Sequence, residues 1–299
     1  MIDPRLLEKE NVLYEEHDPS YGAVYIYEKH LVDSRSRYQK IDVIETQHHG
    51  KILLIDYYMM LTEDSEFIYH EMMAHVPMAA HSQAHQVLVI GGGDGGVVRE
   101  VLKYPQVERV MLVEIDEEVI KVCREHFPQL ARSLDDPRVE VRIEDGVKFV
   151  QETDESFDVM IVDSTDPFGV AELLISVDFY KGCRKVLGEE GVMIQQMASP
   201  FFTPDIFVKA FHNMVEVFEH VSPVLVPVPF YVSGHWSLGF ASSSERHFRK
   251  EVSPGSWRPP GELKYYNPEV HRAAFCLPNF VQLLYERAKE TPELREKPF

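Results

Sequence analysis

The chain has 299 residues, 44% hydrophobic and 26% charged. This is ordinary globular composition, long enough for one large domain or two moderate ones. Thirty basic against 49 acidic residues give a formal charge of −19, which disfavours nucleic acid and anionic membrane as partners and gathers cations. No apolar run approaches the roughly 18 residues of a membrane span, and the charged start lacks the apolar stretch of a signal peptide. A cytoplasmic location is therefore expected. Cys123, Cys183 and Cys276 stand far apart with no CxxC pair, which predicts buried thiols and no disulfide framework.

Residues 21–61 alternate in three short runs, YGAVYIYEK, SRYQKIDVIET and GKILLIDYYMML. Turns are expected at Gly22 and at His48-His49-Gly50, giving a small antiparallel sheet. From Glu63 to about His81, apolar residues at Phe67, Ile68, Met72, Val76 and Ala79 follow a helical spacing. Strands and helices then alternate. Residues 87–90 read as a buried strand, 97–104 as a helix stopped by Pro105, and 109–113 as a strand ending at Glu114. A helix over 117–127 is stopped by Pro128. Strands follow over 139–143, ending at Asp145-Gly146, over 157–162, ending at Asp163, over 191–196, and over 237–241 among the last. Strands separated by helix-length segments predict a parallel sheet with helices on both faces. The boundary falls at 62/63: an antiparallel β domain over 1–62, then an α/β domain over 63–299. The latter includes a connecting helix at 63–82 and a helical segment over 262–299, whose charged end beyond Arg287 should fray.

The strand at 87–90 runs into a glycine turn, GGGDGG, in which Gly91, Gly93 and Gly96 have the spacing of a nucleotide-binding loop. Asp94 lies inside it. A phosphate binder would repel its own ligand with an acid there, so the loop suits a cationic nucleotide-like ligand. Acids recur at the other strand ends as Glu114, Asp116, Asp145, Asp163 and Asp166. Any one of them reads equally as a helix cap or a solvated loop acid. Together they predict one crevice beyond the carboxyl ends of a parallel sheet. Glu114, 18 residues after Gly96, stands where a carboxylate accepts hydrogen bonds from ribose hydroxyls. Asp145-Gly146 suits an adenine amino group, with glycine allowing close backbone approach.

In the turn Asp163-Ser164-Thr165-Asp166-Pro167, two carboxylates three residues apart could hold a primary amine and take its proton. An alkyl ammonium has a pKa near ~10.4, so neutralising it at pH 7 costs about 4–5 kcal/mol. A neighbouring sulfonium cation would lower that cost by like-charge repulsion. The plain alternative is an Asp-Pro turn that ends a strand. His70-Glu71-Met72-Met73-Ala74-His75 almost spells a zinc HExxH helix, but the second imidazole comes one residue late. No metal site is expected there: His70 reads as a site wall and His75 as a packed helix residue.

With these residues in view, the chain resembles the polyamine aminopropyltransferases, most of all those that make spermidine. The resemblance runs through residues 20–285. It is carried by Tyr38-Gln39, Glu66-Phe67-Ile68-Tyr69-His70-Glu71, GGGDGGVVRE (91–100), Glu114-Ile115-Asp116, Asp145-Gly146, DSTDPFG (163–169), Tyr231 with Ser233-Gly234, and KYYNPEVHRAAF (264–275). It implies a Rossmann-like, methyltransferase-like, mostly parallel sheet behind the small β domain. The implied reaction moves the aminopropyl group of decarboxylated S-adenosylmethionine to a diamine, usually putrescine. The donor is a co-substrate, and no cofactor or metal is implied. Gln39, Asp94, Glu114, Asp145 and Gly146 would hold the donor. Tyr69, His70, Asp94, Asp163, Asp166, Gln196 and Tyr231 would line the amine path, with Asp163 as proton acceptor. A homodimer or homotetramer is implied. The chain departs from the family pattern at Met60 (usually glutamine), at Asp64 and Ser65 (usually arginine and aspartate), at Val170 (proline) and at Phe230 (threonine). Agmatine, cadaverine or spermidine thus stay open as acceptors. A methyltransferase is the rival enzyme, disfavoured because its donor's carboxylate would meet Asp94, and a polyamine-binding regulatory protein is the rival outside enzymes.

Overall fold

Alternating apolar residues turn the first part of the chain into strands. A computed structural model describes residues 11–18, 20–167, 169–248, 252 and 258–290; the charged start, Phe168 and the tail beyond 290 lie outside the described residues. β1 (Val12–Asp18) pairs with β2 (Tyr21–Ile26) as an antiparallel ribbon. β3 (Lys29–Arg35), β4 (Lys40–Thr46), β5 (Gly50–Ile55) and β6 (Tyr58–Thr62) follow in sequential order as a four-stranded sheet. Gly22 is not the expected turn. It lies inside β2, opposite Glu16 where the ladder slips by a residue, so the reversal comes earlier and the unanticipated β1 gains a partner. The expected turn before β5 is present.

The two faces of the four-stranded sheet follow the period of two. Ile41, Val43, Leu53, Ile55 and Leu61 pack on Val119, Cys123, Phe127 and Leu130 of the larger layer. Ile44, Ile52, Leu54 and Met59 form the other face, covered by Leu13, Tyr25 and Phe230. The small sheet is thereby fastened against the helix that follows the second strand of the large one, directly above its carboxyl edge.

Helix α1 (Phe67–Ala80) starts at the first of the apolar positions, four residues after the expected boundary at Glu63. The polar stretch before it folds instead as a turn in which the Thr62 hydroxyl donates to Asp64 at 2.8 Å and lies 2.6 Å from the Ser65 hydroxyl. The large sheet then builds from β7 (Gln86–Gly91), α2 (Gly96–Val101), β8 (Arg109–Glu114), α3 (Glu117–His126), α4 (Pro128–Ala131), β9 (Val139–Ile143), α5 (Gly146–Glu152) and β10 (Val159–Asp163). It continues with α6 (Val177–Leu187), β11 (Val192–Gln196), α7 (Pro204–Val215), β12 (His220–Pro227) and β13 (His235–Ser242), and α8 (Pro268–Ala274) and α9 (Asn279–Lys289) close the described chain. Pro128, expected only to stop a helix, also opens α4, because a residue without an N–H fits the first helical position. Helix α2 ends three residues short of the expected Tyr104.

Strand order is β12-β13-β11-β10-β7-β8-β9, with the central pairs parallel and β13 antiparallel to both neighbours. Val87 and Val89 face α1 and α2, while Leu88 and Ile90 face α5, α6 and α7. Both faces are covered, which is why these strands read as unbroken apolar runs. The chain leaves β7 toward β8 on one side and later returns to β10 on the other, so the switch in strand order lies between β7 and β10. Open sheets bind ligands at that place. Cys123 and Cys183 are buried as expected, but Cys276, just past α8, is exposed. No described helix is long and apolar enough to cross a membrane.

Helix α1 is buried almost all round, and one of its charges is structural. The Glu71 carboxylate accepts the backbone N–H groups of Lys264, Tyr265 and Tyr266 at 2.8, 2.9 and 2.7 Å, pinning the segment that leads into α8. Glu71→Ala would remove the acceptor of three backbone amides, that of Tyr266 buried, and is expected to lower unfolding stability by about 1–3 kcal/mol in chemical denaturation. An unchanged midpoint would remove Glu71 from that role.

Candidate active site

The parallel pairing of β7 with β10 sets Gly91 directly beside Asp163. Gly91 has φ +77°, and a β-carbon on it would stand 2.1 Å from the Asp163 carbonyl oxygen. The next amide, of Gly92, donates to that same oxygen at 2.8 Å. The glycine turn therefore grips the backbone of the acid at the next strand's end. Gly96 allows a second close approach: a β-carbon there would lie 2.3 Å from the His70 ring. The glycines bring the loop against Asp163 and His70, and that close packing accounts for them without any phosphate.

His70 comes down from α1 between two acids, with Nε2 3.3 Å from Asp94 and Nδ1 2.5 Å from Glu66. Burial favours the neutral ring, but Asp94 and Glu66 outweigh it and raise its pKa to about 9. Glu66 is held in turn by both terminal nitrogens of Arg99 at 2.9 Å. Among the described residues, His70, Asp94 and Asp163 also form the one group whose ligand atoms all lie close enough to share a metal ion. Without a metal, Asp94 and Glu66 favour the protonated ring, so the His70 imidazolium can itself supply positive charge to this cluster. His75 lies elsewhere, 3.0 Å from both Glu100 and the Tyr104 hydroxyl, as a packed residue should.

Asp163 is the most constrained acid. Its Oδ1 accepts the Tyr69 hydroxyl at 2.7 Å, while Oδ2 is buried with no partner. Burial and the nearby Asp94 charge hold its carboxyl above the ordinary range, against the lowering pull of His70 and Tyr69. Asp94 also accepts the Gly96 amide at 2.7 Å. Glu114 ends β8 and accepts the Asp116 amide at 2.8 Å; burial pushes it up to about 7 in spite of its backbone donors. Asp145 caps α5 through the amide of Val147 at 2.8 Å.

A cavity of about 370 Å³ collects Gln39, Tyr69, His70, Asp94, Glu114, Asp145, Gly146, Asp163 and Tyr231. Asp116 is the strand-end acid that lines neither this cavity nor the chamber beyond it. It caps α3 and accepts the Ser36 hydroxyl at 2.6 Å and the Gln39 side-chain amide at 2.9 Å, so it positions Gln39 from outside the cavity. Asp166 and Gln196 lie past a neck formed by Met60, Ser164, Thr165 and Tyr231, in a second chamber of about 30 Å³. The Tyr231 hydroxyl fixes this neck by donating to the Met60 carbonyl at 3.0 Å. Gln196 donates to Asp166 at 2.7 Å, which leaves the Gln196 carbonyl oxygen buried and unpartnered. Burial raises Asp166 to about 6, against the hydrogen bond from Gln196.

Two buried acceptors without donors, one on each side of a neck, suit a chain with a positive charge at both ends. Glu15, His17, Tyr58 and Trp236, which sequence reasoning missed, also line the second chamber. Glu15 and His17 carry no local signal beyond lying two apart on a strand that was not anticipated. Glu66 had a signal, its i,i+4 spacing to His70. Of the departures from the family pattern, Met60 forms the neck. Asp64 and Ser65 build the turn before α1, and Phe230 packs edge-on to His49 at 4.5 Å between ring centroids. Val170 falls in a 3₁₀ segment, Gly169–Ile175.

Comparison with known proteins agrees with this geometry. A family model described as the spermine/spermidine synthase domain matches residues 66–251, and one described as the spermidine synthase tetramerisation domain matches residues 12–63. A polyamine aminopropyltransferase of Clostridium perfringens is 41% identical over 279 residues, covering 92% of this chain and 98% of its own. One of Lachnoclostridium phytofermentans is 43% identical over 260 residues, covering 85% and 90%. A solved spermidine synthase in complex with the transition-state analogue AdoDATO superimposes with a TM-score of 0.88 at 37% identity, covering 93% of this chain and 96% of that one. The spermidine synthase of Thermotoga maritima gives 0.86 at 36% identity over the same shares. The chain belongs to the spermine/spermidine synthase family, the polyamine aminopropyltransferases.

Proposed function

We propose that this protein transfers the aminopropyl group of decarboxylated S-adenosylmethionine to putrescine, releasing spermidine and methylthioadenosine. The observation that carries this reading is the pair of unpartnered buried acceptors, Asp163 Oδ2 and Gln196 Oε1, on either side of the Met60–Tyr231 neck. The donor's nucleoside would lie in the large cavity, with Glu114 accepting from the ribose hydroxyls, Asp145 and Gly146 at the adenine, and Gln39 and Asp94 toward the charged chain. The diamine would thread the neck, its far ammonium on Asp166 and Gln196 and its near nitrogen at Asp163 between Tyr69, His70 and Tyr231.

In one displacement the near nitrogen forms a bond to the methylene beside the sulfonium. The carbon–sulfur bond breaks with its electron pair passing to sulfur, and Asp163 accepts the nitrogen's proton. Alignment in a dehydrated acidic site and stabilisation of two cations supply the catalysis. A neutral thioether leaves, so the attraction that gathered the donor lapses on product formation. Work as a dimer or tetramer is part of this proposal, supported by the matched tetramerisation domain and by the exposed apolar residues Tyr14, Tyr21 and Ile26 on the N-terminal ribbon. We place the activity in the cytoplasm, in keeping with three unpaired cysteines, and take residues up to 62 as the assembly domain.

The deciding experiment incubates the protein with decarboxylated S-adenosylmethionine and a panel of amines and identifies products by mass. Spermidine with methylthioadenosine supports the reading. Products from agmatine or cadaverine alone would reassign the acceptor, and methyl transfer would overturn the reaction class. Asp163→Asn should cut turnover by ~10²–10⁴-fold with the fold retained, the scale of a lost general base; near wild-type turnover would relieve Asp163 of that role.

Both acids must be ionised to act, and both have raised pKa values. The diamine stays fully charged below pH 8, so kcat/KM should fall as pH drops through about 6. The slope should reach about tenfold per pH unit or steeper; a flat profile down to pH 5 would contradict it. Met60→Gln replaces a soft apolar wall of the neck with a hydrogen-bonding one. It should shift acceptor preference toward putrescine in competition assays, and an unchanged profile would make the departure neutral.

A further inference from the structure

The acceptor side of the site continues past Asp166. A third cavity of about 40 Å³ lies outside the second chamber, and the two share His17, Tyr58, Asp166, Val232 and Trp236 as their common wall. The outer cavity adds Ser199, Phe202 and Thr203. Each of these spaces holds about a water or two, and neither accepts a propylamine unit while the wall stands.

One part of that wall is the His17 ring. Its Nε2 sits 2.6 Å from Glu15 Oε1, and the ring lies edge-on to Tyr58 and tilted against Phe202, at 5.5 and 6.2 Å between centroids. The other Glu15 oxygen takes the Tyr25 hydroxyl. Glu15 is thus a buried carboxylate beside the acceptor passage, one of whose oxygens is occupied by the imidazole.

Resting on the function proposed above, we propose that His17 sets the length of the amine acceptor. With the ring in place, the passage ends at Asp166 and Gln196 and admits a diamine. A triamine would have to place its third cationic nitrogen where the imidazole stands, so the product of one transfer is a poor acceptor for a second. With the ring gone, the two outer spaces merge and Glu15 Oε1 is free to accept that third nitrogen.

The test compares kcat/KM for spermidine and putrescine in the full chain, with products identified by mass. Wild type should prefer putrescine. His17→Ala should raise the spermidine-to-putrescine ratio by about tenfold or more, the scale of a reshaped pocket. Glu15→Gln added to it should remove most of that gain. If His17→Ala fails to fold, as judged by its melting curve, His17→Val keeps a strand-forming residue, shortens the side chain and leaves Glu15 Oε1 free; it should move the ratio in the same direction. A wild type that uses both amines equally, or a folded His17 variant with an unmoved ratio, overturns the length gate while leaving aminopropyl transfer intact. A wild type inactive with every amine overturns both readings.

Discussion

The contact between the glycine turn and the Asp163 backbone is the constraint on which the site depends. Parallel pairing sets β7 and β10 side by side, and Gly91, in a left-handed conformation, lets the loop close to within a hydrogen bond of the Asp163 carbonyl. Any side chain at Gly91 would force that loop away and carry Asp94 with it. Gly96 performs the same service for His70. Three charged groups from α1, the loop and β10 are thereby pressed together under a common roof.

Such crowding is unfavourable unless cations relieve it. His70, protonated between Asp94 and Glu66, is the resident cation, and Arg99 steadies it from behind through Glu66. The remaining acids are left underneutralised. A carboxyl whose pKa is higher folded than unfolded contributes stability at low pH that is lost as pH rises through the folded value. Glu114 at about 7 and Asp166 at about 6 therefore oppose folding near neutrality. A cationic ligand that binds only the folded state returns stability by mass action. The same electrostatics that disfavour an empty, dry interior favour a cation there over a neutral molecule.

The N-terminal strands take part in this arrangement. The four-stranded sheet is locked by Ile41, Val43 and Leu53 onto α3 and α4, which sets Gln39 over the large cavity and Met60 at its neck. The ribbon of β1 and β2 adds Glu15 and His17 to the far chamber. The segment matched by the tetramerisation-domain model thus also lines the far chamber, so a change in those strands changes that chamber's shape.

Much of this was legible in the residues. Unbroken apolar runs fit strands buried on both faces, so Val87–Ile90 and its successors declared a covered parallel sheet, and Asp94, Glu114, Asp145 and Asp163 at their ends pointed to the cavity that lies there. Asp94 inside the glycine turn was legible too, and the structure sets it beside His70 in the large cavity. Tertiary structure alone decided the rest. Asp116 is chemically the same as its neighbours, yet its backbone position makes it a helix cap behind Gln39. Gly22 was misplaced because a glycine in a bulged strand looks like a glycine in a turn. Glu15 and His17 are remote in sequence from Asp166 and reach it only because packing folds β1 across the sheet's edge. Local pattern dictates what each strand must bury, but which distant side chains meet across a cavity depends on how those buried faces stack.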